Sequence, residues 1–389
     1  MHAPRLVRVA APLVIGALVL TACGSSNDNK TSGKKSYTIG FQMPLSGDNA
    51  QLGINMLNGA KLAVEQANAK GDLGFTVKFV TSDDAGDPAQ SPAAAQKLID
   101  NKDVVAVLGP GFSGTTNAAE PHYSDAGLAS LSGSSTRADL TSNGFKTFTR
   151  IITGDNIQGV KMADYVAKGL KAKSAYVIDD KSAYGAGLVK FIKDQLTADG
   201  VTVKAEGIAP AKDYSAVATK AKASGADTVV YSGYYAEFAL LTKALKTAGY
   251  KGNLISGDGS KDDQYIAQGG SATEGTYITC PCGPTASSPA AQQFATDFKA
   301  KYNAEPGTYS AEYFDGVNLI IAAIKSLGSN VTRAGMVTAV QATKNFPGVS
   351  NPSITFDSKG EGGTGQIFAY QVKAGKIALL GEVVDGVVK

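Results

Sequence analysis

The stretch "VVAVLGPGFSGTT" (Val104–Thr116) decides the fold. Five apolar residues run into a loop with Gly109, Gly111 and Gly114 at G-x-G-x-x-G spacing, and a helical pattern opens behind it. A strand turning through glycines into a helix is the repeating unit of α/β sheets. The spacing also invites a nucleotide reading, which the context weakens. A dinucleotide fold places this loop after its first strand, with an acidic residue about 20 positions on. Here the loop follows the third strand, the downstream segment is "LSGSST", and the longer G-x-x-x-x-G-T-T pattern lacks the phosphate-loop lysine. What remains is chemistry common to such loops: unpaired N–H groups and a positive helix end, which suit a carboxylate as well as a phosphate. The competing reading is a tight turn without a ligand.

Outward from this loop the alternation continues. Tyr37–Met43, Phe75–Val80, Val104–Leu108, Ala175–Ile178, Val201–Ile208, Thr228–Ser232 and Asn253–Ser256 read as strands. Met56, Leu57, Ala60, Ala63, Val64 and Ala67 repeat at helical spacing, as do Leu188, Phe191, Ile192 and Leu196. Asp87 before Pro88 reads as an N-cap and first helical turn. Strands alternating with helices predict parallel sheets covered on both faces. A break near Arg150–Asn156 divides the run into two doubly wound lobes. The tail differs, with Ile354–Phe356, Gln366–Val372 and Ile377–Val384 reading as strands with few helices between them.

The first residues read as an export signal. Arg5 and Arg8 precede a short apolar stretch, Val9–Leu20, too short to span a bilayer comfortably and closed by "LTAC". Residues 1–22 are expected to be a lipoprotein signal peptide, with Cys23 as the lipidated first residue of the mature chain. Residues 23–36 lack apolar periodicity and read as a flexible tether. The 389-residue chain carries 37 basic and 34 acidic residues. So even a balance gives no support for nucleic-acid binding or a polybasic membrane face.

Catalytic and metal chemistry find little footing. Beyond the leader, His122 is the one histidine, and "GFSGT" departs from the nucleophile elbow because Thr115 replaces its last glycine. No spacing suggests a metal site, and no cofactor is expected. Cys280 and Cys282 frame Pro281; a disulfide and a free thiol pair both remain open, with metal binding ranked behind them.

Six stretches, in order, carry a resemblance. "IGFQMPLSGDNAQLG", "GAKLAVEQANAKG", "SDDAGDPAQ", "SGSSTRADLT", "DDKSAYGAGL" and "YSGYYAEFALLTKALKTAGYKG" together resemble the branched-chain amino-acid-binding proteins of bacterial ABC importers, the family of the leucine/isoleucine/valine-binding protein. The resemblance spans essentially the whole mature chain. It implies an α/β type I periplasmic-binding-protein clamshell, two doubly wound parallel-sheet lobes joined by three hinge crossings near Thr153, Pro281 and Gly363. Lobe one would comprise residues 37–153 and 282–362, and lobe two residues 154–281 and 363–389. The Cys-Pro-Cys segment would lie on the second crossing.

The same resemblance implies a ligand set. Ser113 and Thr136 would receive an α-carboxylate. The Ser134 carbonyl, the Thr136 hydroxyl and Asp258 would meet the α-ammonium. Tyr184 and Tyr234 would close over the ligand, and Leu52, Gly111, Phe112 and Tyr309 would surround its side chain. The chain departs from the family pattern at Gly86 and Phe112, where some members have a disulfide, and at Asp258, where glutamate is frequent. The implied function is a monomeric, lipid-anchored, extracytoplasmic protein that captures a hydrophobic, branched-chain L-amino acid for an ABC importer permease. The alternatives are an amino-acid or small-amide sensing receptor module, and an exported enzyme using Ser113, against which the scarcity of histidine argues.

Overall fold

The computed structural model describes residues 34–284 and 288–389. The expected signal peptide and Cys23 lie outside the described residues. Lys35 and Ser36, assigned above to the tether, already belong to the first strand.

The first sheet is wound from β1 (Lys35–Met43), α1 (Ala50–Lys70), β2 (Phe75–Asp83), α2 (Ser91–Asp100), β3 (Val104–Leu108), α3 (Ser113–Asp125), β4 (Ala129–Ser132) and β5 (Phe148–Arg150). All its pairings are parallel, in the order β2-β1-β3-β4-β5. Every residue of β3 is buried, as a continuous apolar run demands of a strand covered on both faces. Strand order reverses between β1 and β3. The loops leaving their carboxyl ends therefore flank a crevice, the usual ligand position in such sheets.

The second sheet repeats the plan. α4 (Asp155–Asp164) leads through β6 (Ser174–Asp179), α5 (Ala183–Ala198), β7 (Thr202–Gly207), α6 (Ser215–Ala223), β8 (Thr228–Ser232), α7 (Tyr235–Thr247), β9 (Asn253–Ser256), α8 (Asp263–Gly269) and β10 (Tyr277–Cys280). Its parallel part runs β7-β6-β8-β9-β10, and antiparallel β11 (Phe368–Lys373), β12 (Lys376–Val384) and β13 (Val387–Val388) extend it. Order reverses again between β6 and β8. Between β10 and β11 the chain returns to the first sheet, where α9 (Pro289–Tyr302) and α10 (Ser310–Leu327) pack on α1, and α11 (Arg333–Gln341) packs on β3 and β4.

The chain therefore passes between the sheets three times: after β5, after β10 and before β11. The first and third passages run side by side. Arg150 and Glu361 form a parallel bridge, the Gly362 N–H donates to the Arg150 carbonyl at 2.8 Å, and the Gly365 N–H donates to the Thr153 hydroxyl at 3.0 Å. Gly363 is required there, because a Cβ would stand 2.5 Å from the Thr153 Cα. On the second passage Cys280 and Cys282 are joined by a disulfide, which resolves the alternatives left open above.

Two expectations need correction. α2 begins at Ser91, not at Asp87: the Asp87 carboxylate accepts the Ala89 N–H and forms a turn, and Pro92 opens the helix. Ile354–Phe356 is not a strand but a single bridge from Ile354 to the partly buried Phe346, with the Ile354 and Phe356 side chains fully buried. Among the described residues, no helix is long and apolar enough to cross a membrane.

Candidate ligand-binding site

The loops at the two reversal points face each other. From the first sheet, Gly109 leaves β3 with a φ of 108°, and the chain passes Pro110 and Gly111 before α3 opens at Ser113. Phe112 occupies the N-cap position in extended conformation, and no side chain caps the helix. The first amides of α3 are thus left to whatever lies in the crevice. The glycine loop is a helix-end donor site without the sequence context of a nucleotide fold.

From the second sheet, three loops contribute. Tyr184 lies in the first turn of α5, which Ser182 caps by accepting the Gly185 N–H at 2.9 Å. Tyr234 is the N-cap residue of α7, and Asp258 follows β9. A small cavity is lined by Leu52, Gly111, Phe112, Ser113, Ser134, Tyr184, Tyr234, Asp258 and Tyr309, together with Met56 and Gly259. Its free volume is about 10 Å³, room for about one water molecule and far too little for a leucine side chain.

Asp258 is the electrostatic centre. One carboxylate oxygen accepts from the Tyr184 hydroxyl and the Gln158 amide, both at 2.7 Å, and the other accepts from the Tyr309 hydroxyl at 2.6 Å. Tyr309 belongs to the return segment that packs on the first sheet, so this bond spans the crevice. Burial pushes the Asp258 carboxyl up, and the three donors pull it back only in part.

Sequence reasoning missed a second carboxylate. Asp155, the first residue of α4, is wholly buried, and neither of its oxygens has a hydrogen-bond partner among the described residues. Burial, with the Asp258 charge nearby, pushes it up to about 8; the adjacent Thr136 hydroxyl relieves this slightly without completing a bond. Thr136 lies beside Asp155 rather than on the cavity wall. Its carbonyl accepts the Asp155 N–H at 2.7 Å, while its buried hydroxyl has no partner among the described residues. The Gln158 carbonyl oxygen is likewise unpartnered. Asp155 sits in "TGDN", which the sequence offers only as a break between lobes; its signal was an acid at a helix start beside a hinge.

The Ser134 hydroxyl donates to the Gly111 carbonyl at 2.7 Å and meets the Tyr313 hydroxyl at 2.9 Å. Ser113 Oγ accepts the Arg137 N–H at 3.2 Å, which leaves its own proton free to donate. The arrangement has two poles. Hydroxyls and helix-end amides on the first-sheet side suit an anion. Two buried carboxylates and a buried amide oxygen on the second-sheet side call for a cation that donates hydrogen bonds.

Comparison with known proteins identifies relatives of the chain. Residues 36–376 match the family described as periplasmic binding protein. The Leu/Ile/Val-binding protein BraC3 of Rhizobium johnstonii is 32% identical over 343 residues, covering 87% of this chain and 92% of that protein. The leucine-binding protein LivK of Thermotoga maritima superposes with a TM-score of 0.83 at 28% identity, over 89% of this chain and 98% of that one. The substrate-binding protein LivJ of Streptococcus pneumoniae, solved with isoleucine, gives 0.82 at 27% identity, over 89% and 99%.

Proposed function

Because the chain belongs to the periplasmic binding protein family, we propose that it captures a hydrophobic, branched-chain L-amino acid and delivers it to an ABC importer permease. It is a substrate-binding protein of the leucine/isoleucine/valine class, and its relatives work outside the cytoplasm. The observation that carries the ligand reading is the buried pair Asp155 and Asp258, with Asp258 sharing one cavity with Ser113 and Asp155 lying beside Thr136. Two unneutralised carboxylates in a low-dielectric site are unfavourable, and an α-ammonium offsets that penalty while its own carboxylate takes the facing donors.

In this reading Ser113 and Thr136 hold the carboxylate, and the Ser134 carbonyl, Asp258 and Asp155 surround the ammonium. Tyr184 and Tyr234 close from one side, and Leu52, Gly111, Phe112, Met56 and Tyr309 wall the side chain. The jaws divide at the passages near Thr153, Pro281 and Gly363. Only approach of the jaws satisfies both ends of the zwitterion, so the ligand favours the closed form by its differential contacts. The permease then reads occupancy as shape. The protein acts without cofactor or catalysis, as a monomer tethered through lipid on Cys23; Cys23→Ala should shift it from the membrane to the soluble fraction.

Calorimetry against all common L-amino acids tests the ligand. Leucine, isoleucine or valine should bind, while leucine methyl ester and isoamylamine, each lacking the free carboxylate, should bind about a hundredfold more weakly. Failure of every free amino acid to bind would exclude the reading.

A further inference from the structure

The charge that organises this site lies behind it. Arg150, the last residue of β5, has a side chain only 1% exposed and lines no part of the cavity. Its guanidinium makes a two-pronged pair with Glu361, Nε to Oε2 at 2.8 Å and Nη2 to Oε1 at 2.5 Å. The remaining nitrogen, Nη1, donates to two backbone carbonyls, Ser135 at 3.1 Å and Arg137 at 2.7 Å. Thr136 stands between those carbonyls.

We infer that Arg150 is a positioning residue for amino-acid binding, fixing the Ser135–Arg137 turn so that Thr136 and Ser113 present their donors to the ligand carboxylate. The inference rests on the ligand reading given above. All three carbonyls of the turn are engaged within the protein, two by the guanidinium and the Thr136 carbonyl by the Asp155 N–H. The Thr136 hydroxyl keeps no partner among the described residues. The Arg137 N–H, whose own carbonyl Arg150 holds, donates to Ser113 Oγ at 3.2 Å and so selects the direction of that hydroxyl. One planar fork therefore acts on both proposed carboxylate contacts.

The surroundings are shaped for that fork. Gly154 faces it, and a Cβ there would stand 2.5 Å from Nη2. Glu361 lies on the third passage between the sheets and also accepts from the Thr141 hydroxyl at 2.5 Å. The turn that holds the ligand is thereby fastened to the hinge. A lysine supplies a point charge and cannot span four acceptors in one plane. Arg150→Lys should leave at least one buried carbonyl unsatisfied and the turn loose.

A double-mutant cycle with L-leucine as the probe separates positioning from general support. By calorimetry, Arg150→Lys and Thr136→Val should each weaken binding about tenfold or more, roughly what a charge-assisted hydrogen bond is worth. The double variant should lose clearly less than the product of the two single losses, because part of the Arg150 effect runs through Thr136 and the rest through Ser113. Losses that multiply in full would overturn the inference and leave the ligand reading standing. Wild-type affinity in Arg150→Lys would overturn it as well. Wild-type affinity in Thr136→Val would instead remove the Thr136 contact, and this inference with it, while leucine binding itself would stand. Should Arg150→Lys fail to fold, Glu361→Gln keeps the fork's partner in neutral form, and the same cycle is run with that variant.

Discussion

Phe112 and Tyr234 stack across the crevice with ring centroids 4.3 Å apart and planes 27° from parallel, each occupying the N-cap position of its helix, α3 from the first sheet and α7 from the second. Tyr234 also packs against Tyr184 at 5.3 Å. The stack couples two functions. It closes the crevice, because an aromatic pair contributes about 0.5–1.5 kcal/mol beyond its area. In the proposed binding mode it also sets the size of the side-chain compartment, because the Phe112 ring fills space that a ligand side chain needs. A branched-chain ligand requires that these rings part or slide.

Phe112→Ala should therefore change selectivity more than stability. The variant frees about a phenyl ring's volume beside Leu52 and Met56, both lining the same cavity. We expect L-phenylalanine to gain at least about tenfold in affinity relative to L-leucine, since each buried methylene-sized unit is worth about 0.8 kcal/mol. Competition calorimetry measures the ratio. An unchanged ratio would place the Phe112 ring outside the side-chain compartment.

Much of this was legible beforehand, for physical reasons that differ by element. β3 and β8 are short apolar runs with all five residues buried, and a run that apolar admits few other placements in a parallel sheet. Ser113, Tyr184 and Tyr234 stand at helix starts behind strand-ending loops, where a switch-point crevice must draw its ligands. Asp155 was not legible, because nothing local distinguishes it from an ordinary acidic first-turn residue; its burial comes from the facing Thr136 turn, distant in the chain. Tyr309 was expected on the side-chain wall; it lines the cavity, and its hydroxyl also reaches Asp258, a contact made from left-handed backbone at its own N-cap position (φ 66°) that nothing local in the sequence shows. Ile354–Phe356 misled because β-branched and aromatic residues also serve as plugs beneath loops.

The parallel passages offer a test of the hinge. Gly363 lies so near Thr153 that a Cβ meets main-chain atoms at 2.5 and 2.6 Å, and backbone cannot rotate out of the way as a side chain does. Gly363→Ala should destabilise the protein by about 1–3 kcal/mol in urea unfolding, the usual range for overpacking. It should also shift leucine affinity, since the two passages must move together on closure. A variant with unaltered stability would mean that the passages separate freely.

The second carboxylate makes binding depend on pH, with a sign that follows from its surroundings. Burial and the Asp258 charge raise Asp155 to about 8, against the ordinary aspartate value of 3.8 that applies when the chain is unfolded. Between those values the folded protein holds a proton that the unfolded chain has released, so this group's contribution to stability falls as pH rises through the window. An ammonium placed against Asp155 reverses the preference and expels the proton. Leucine should accordingly bind more tightly at pH 8 than at pH 6 and raise the melting temperature more at pH 8. The calorimetric heat at pH 6.5 should vary with the ionisation enthalpy of the buffer, revealing proton release. Asp155→Asn removes the titrating group: the ligand-free variant should melt higher than wild type at pH 8, bind leucine about tenfold or more weakly, and show no buffer dependence from this source. Equal proton release from the wild type and Asp155→Asn would assign the proton to another group and take Asp155 away from the ammonium.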